Sequence, residues 1–175
     1  MEAMHRSTKV LPRDPSETIP LIEQALEAVE LALRQMPDEK LDWSIPKRKR
    51  PMRSFCLHIF SHALSIIEGR RADNSGRPEV SSDSYNSFQD IADHGRIVIE
   101  KFRAWASQQQ LDTLRNPVTE GLSQKIDVKR LDAVAGQIVH HLRQLYSILE
   151  DFGITPENRV PDSEWPSDYV LTMFW

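Results

Sequence analysis

Apolar residues recur three and four positions apart in four separate stretches of the chain, and polar or proline-containing segments divide them. The first stripe is Ile22, Leu26, Val29, Leu33 and Met36. It predicts a helix that opens near Thr18 to Pro20, where a first-turn proline is tolerated, and stops at Pro37. The second runs from about Pro51 to Glu68, with Gly69 as a stop signal. Met52, Phe55, Ile59 and Ile66 share one face, while Leu57, Phe60, Leu64 and Ile67 occupy the others; only the Ser54, Ser61 and Ser65 edge is polar. A helix apolar around most of its circumference belongs at the centre of a fold. The third predicted helix spans Ser84 to Gln108, on the heptad series Tyr85, Phe88, Ala92, Gly95, Ile99 and Phe102. The fourth runs from Val128 to Phe152 behind Asp127 as N-cap, and Gly153 and Pro156 follow it.

No stretch alternates in the manner of a strand. Residues 1–15 read as an extended lead-in broken by Pro12 and Pro15, and 70–82 and 109–126 as connections, the latter with room for one helical turn. The tail, 154–175, has no period, but Trp165, Tyr169, Leu171, Phe174 and Trp175 predict that it packs back on the body. The expectation is one all-α domain over residues 1–175, a four-helix bundle with an irregular C-terminal tail.

The totals narrow the chemistry. Lys and Arg number 22 against 26 Asp and Glu, a formal net charge of -4, which argues against a general nucleic-acid binder. Cys56 is the only cysteine, so no intrachain disulfide can form, and a reduced setting suits it. The first fifteen residues lack the apolar centre of a signal peptide, and no run approaches the ~20 apolar residues of a membrane span. These features predict a cytoplasmic protein with no membrane partner.

Two places carry candidate chemistry. His58 and His62 stand one helical turn apart in the most apolar helix, and His141 occupies a seam position of the fourth helix where a hydrophobe belongs, with Gln137 one turn earlier. Residues four apart project side by side, and two facing helices bearing such pairs can surround one ion. Spacing by itself also fits buried imidazoles bonded to backbone carbonyls, and there is no adjacent Glu of the H-E-x-x-H kind. The second place is Lys47 to Arg50, "KRKR", extended by Arg53. This cluster suits an anion, a nucleic acid or simply solvent. His140 points about 100° away from His141 and reads as a surface or supporting group. His94 and His5 have no evident partner.

Three motifs resemble a known family. "MRSFCLHIFSHALSIIEG" is similar to the second helix of DinB-like bundle proteins, the superfamily that also holds thiol-dependent maleylpyruvate isomerases. "QIVHHLRQLYSILEDFGITPE" is similar to their last helix, where His-x-x-x-His-Arg-Gly-Gln-Leu is usual, and "LDWSIPKRKRPMRS" resembles their first interhelix loop. The likeness covers roughly residues 20–170. It implies a divalent metal, Zn or Ni, held by one histidine of the second helix and two of the last. Position by position, His58 matches the helix-two ligand and His141 the second helix-four ligand, while the first falls on Gln137. That departure implies a weakened site, which His62 can repair by offering a third imidazole.

The resemblance therefore implies a metal-dependent transferase or isomerase that uses a low-molecular-weight thiol on a small-molecule substrate, with no catalytic residue assigned. The competing expectation is a non-catalytic stress-linked bundle or scaffold whose metal site has decayed. Broad apolar faces predict a homodimer.

Overall fold

The computed structural model describes residues 13–45, 50–69, 82–115 and 127–170, with side chains given for all of these but 110–115. The described chain is all-α, with four long helices and one short one.

Helix α1 is Pro15–Leu33. It begins earlier than the stripe predicts because Asp14 and Pro15 form a cap and first-turn pair: the Asp14 carboxylate accepts a hydrogen bond from the Ser16 amide at 2.8 Å. It also ends earlier, at Leu33, and Met36 reaches the core from the turn that follows. Next come two short strands that no alternation announced, β1 (Ser44–Ile45) and β2 (Arg50–Pro51), paired antiparallel with Ile45 opposite Arg50. Two residues per strand are too few to show a period.

The hairpin delivers the chain into α2, Met52–Ile67. Pro51 offers no capping side chain, so the loop's carbonyls do that work: the Met52 amide donates to Trp43 at 2.9 Å and the Arg53 amide to Leu41 at 3.0 Å. Helix α3 is Phe88–Arg115, beginning four residues later and ending seven residues later than its apolar series predicts. Its start is set by polar groups. Ser87 Oγ accepts from the Asp90 amide, Asp90 accepts from the Asn86 amide, and Asp38 accepts from the Phe88 amide at 2.8 Å. Helix α4 is Val128–Asp151, capped by Asp127 as expected and ended by Gly153, whose φ of 78° lies in the left-handed region.

The tail does return to the body. It makes one turn at Asp162–Glu164 and a short helix α5, Ser167–Val170, and it buries Trp165 and Tyr169. Leu171, Phe174 and Trp175 lie outside the described residues.

Both α1 and α2 pack against both α3 and α4, while α1 and α2 touch each other only slightly. Their inward faces share one core that includes Ile22, Leu26, Phe55, Ile59, Phe88, Phe102, Leu131 and Ile138. The α2–α3 contact depends on Gly95. A Cβ there would stand 2.2 Å from Cζ of Phe60, so the missing side chain is the space that the Phe60 ring fills. This contact fixes the rotation of α2, and with it the direction in which His58 and His62 leave the helix. Among the described residues no helix is long and apolar enough to cross a membrane.

Candidate metal centre

Helix α2 presents His58 and His62 toward α4 along its one polar edge. The serines of that edge are bonded to the helix itself. Ser61 Oγ donates to the His58 carbonyl and Ser65 Oγ to the His62 carbonyl, each at 2.7 Å. From α4, Arg130 donates to the Ser65 carbonyl and ties the two helices together one turn beyond His62.

His141 completes the group. The ring centroids of His58 and His62 are 4.5 Å apart, those of His58 and His141 5.4 Å, and those of His62 and His141 5.5 Å. One nitrogen from each ring lies within 4.8 Å of the other two. A tetrahedral zinc with bonds of about 2.0–2.1 Å to imidazole needs its nitrogens about 3.4 Å apart, so side-chain adjustments of about an ångström suffice. The three imidazoles can hold a metal ion. No carboxylate belongs to the group.

The electrostatics agree with that use. His141 is 5 % exposed, and desolvation holds its pKa down at about 3, assisted by the nearby His62, His58 and His140 and opposed by a bond to Gln144. Desolvation likewise brings His62 to about 4, with His58 and Arg50 adding to the effect. Both rings are neutral at pH 7, the state in which imidazole is a ligand. Nε2 of His62 is buried and has no hydrogen-bond partner. A buried polar atom left unpaired costs about 1–3 kcal/mol, so its presence in a helix seam calls for an explanation. A bound cation supplies one.

The chain's own thiol takes no part. Cys56 is fully buried and its pKa is pushed far above the ordinary range by desolvation, which makes it inert.

The structure thus gathers His58, His62 and His141. Gln137 is exposed on α4, one turn before His141. His140 is half-buried, its ring 5.4 Å from that of His141. His94 sits between Tyr85 and Phe60, its pKa lowered by burial, in an aromatic packing site. His5 and Lys47 to Lys49 lie outside the described residues. Arg53, counted with that basic cluster, is committed to the fold: it bonds the Tyr85 carbonyl at 3.2 Å and pairs with Asp42 at 2.7 Å. Sequence reasoning missed Gln144, which is buried and bonded to Nδ1 of His141 at 3.0 Å. Its signal was available: a polar residue three positions after a seam histidine shares that histidine's face.

No family model, no curated protein and no solved structure matches this chain.

Proposed function

We propose that the protein is a divalent-metal-binding four-helix bundle of the DinB-like type, with His58, His62 and His141 as ligands, and that it serves a transferase or isomerase reaction using a low-molecular-weight thiol. The observation that carries the reading is the unpaired, buried Nε2 of His62 beside two further imidazoles. Three neutral ligands leave the full charge of a divalent ion, Zn or Ni, uncompensated, which favours an anion in an open position. A bound ion would supply a positive centre that lowers a thiol's pKa and holds it as thiolate. The thiol must come from outside, because the only cysteine in the sequence is buried and inert. The residues of the chain bind and orient: α2 contributes two ligands, α4 the third, and the apolar seam around them excludes water.

A second reading rests on Gln137. If the bundle needs both helix-four histidines, the first of which is Gln137 here, the protein is a non-catalytic stress-linked or scaffold protein with a decayed metal site. Metal content decides between them. Protein purified without a histidine tag and incubated with zinc or nickel should carry one ion per chain. His58→Ala, His62→Ala and His141→Ala should each weaken it by on the order of a hundredfold or more. No bound metal even in excess ion would sink the first reading. Thiol-dependent turnover of an electrophilic substrate by the loaded protein, lost in the same variants, would establish catalysis. Exposed Leu31 on α1 and Ile97 on α3 support a homodimer, which sedimentation would reveal.

A further inference from the structure

His141 is a three-way choice for any ion: it can offer Nδ1, Nε2 or, if the wrong nitrogen is protonated, nothing useful. We propose that Gln144 is a positioning residue that keeps the proton of His141 on Nδ1 and so presents Nε2 to the metal before the metal arrives. The inference rests on the metal-binding reading above.

The argument is one of donors and acceptors. Nδ1 of His141 lies 3.0 Å from Oε1 of Gln144. A carboxamide oxygen only accepts, so the ring nitrogen must donate. A neutral imidazole has a single ring proton; with that proton on Nδ1, Nε2 keeps its lone pair. Both side chains are buried, at 5 % and 7 % exposure, so water does not compete for the bond. The two residues are three apart on α4, so the lock is built into one helix turn and survives small shifts of α2.

His58 is set in the same sense. Ser61 gives its hydroxyl proton to the His58 carbonyl at 2.7 Å. Toward Nδ1 of His58, 3.5 Å away, its oxygen can therefore only accept. The Nδ1 contacts of His141 and His58 thus leave Nε2 as the ligand atom of both rings. Nε2 of His62 is buried and without a hydrogen-bond partner. Ligating imidazoles characteristically donate their second nitrogen to an oxygen in this way, which fixes the ring and raises its basicity.

The test reads the tautomer directly. Long-range nitrogen–proton correlation spectra of the metal-free protein should show His141 protonated at Nδ1 and unprotonated at Nε2. Gln144→Leu should lose that preference and weaken zinc binding by about 10- to 100-fold, while Gln144→Glu, which still accepts, should keep both. A wild-type His141 protonated at Nε2 would overturn the proposal, as would Gln144→Leu with unchanged tautomer and unchanged zinc affinity. Failure of the metal reading looks different: zinc fails to bind the wild type, yet the Nδ1 proton is present and is lost in Gln144→Leu. Should Gln144→Leu not fold, the wild-type spectrum and the Gln144→Glu titration decide.

Discussion

Helix α4 has two polar seams, and they are finished differently. Along the seam facing the tail, polar groups meet one another. Arg13 bonds Asp132 and Asp168 and stacks on the Tyr169 ring; the Tyr169 hydroxyl donates to Asp132; Arg143 pairs with Asp162 at 2.9 Å and donates to the Val170 carbonyl. Among its described residues, the Trp165 indole N–H is the buried group without an acceptor. Along the seam facing α2, three imidazoles converge, no carboxylate joins them, and His62 Nε2 and Arg130 Nε are left unpaired. Polar groups that satisfy each other hold a tail in place. Converging imidazoles with a buried nitrogen left unpaired reduce the stability of the metal-free protein and are set for a ligand.

The contrast can be broken in several ways. The largest effect should come from the tail seam. Tyr169→Ala removes a buried ring that packs on Gly136 and should cost about 3–5 kcal/mol in denaturant unfolding. A loss under 1 kcal/mol would mean the tail is not part of the cooperative fold. Gly95→Ala, at the α2–α3 contact that orients the histidines, should cost about 1–3 kcal/mol through overpacking against Phe60. It should also weaken metal binding, because α2 must shift; unchanged metal affinity would show that the α2 register tolerates that shift.

A third change has the opposite sign. His62→Leu removes the unpaired nitrogen and should raise the stability of the metal-free protein by about 1–2 kcal/mol while weakening metal binding. Destabilisation instead would show that the ring is satisfied when no ion is present. The smallest and most gradual effect is that of pH. His62 and His141 have pKa values of about 4 and 3 in the fold, depressed from the ordinary imidazole value near 6.5. Below pH ~6.5 the unfolded chain takes up protons that the fold refuses, so metal-free stability is full above that pH. It then falls by up to about 1.4 kcal/mol per pH unit for each ring as pH drops toward 4. Asp168, held below the ordinary carboxylate range chiefly by its bond to Arg13, contributes stability that is lost only at lower pH. Acid unfolding should therefore begin at the imidazole seam, and His141→Leu should flatten its upper part. A profile unchanged in that variant would contradict the assignment.

How much of this was legible in the chain differs from place to place. The four long helices followed from periodicity, because an amphipathic stripe is a local record of which face is buried. Their ends were less legible where side-chain caps decided them: Asp14 drew α1 back to Pro15, and Ser87 with Asp90 delayed α3 to Phe88. The hairpin at Ser44–Ile45 and Arg50–Pro51 left no pattern to read. At the site, His58, His62 and His141 stood out because imidazoles interrupt apolar runs. Residue types in one helix do not say which rings from another will face them, and Gln137 could not be told from His62 as the third member of the group.

What the sequence by itself determined is the set of helices, the burial of Cys56 and the presence of imidazoles on two seams, since each of these depends on residues within a few turns of one another. Only the tertiary structure decided that α2 lies against α4 and that His62 joins His58 and His141. Those relations join residues about eighty positions apart in the chain. They depend on how the helices rotate as they pack, down to the absence of one Cβ at Gly95.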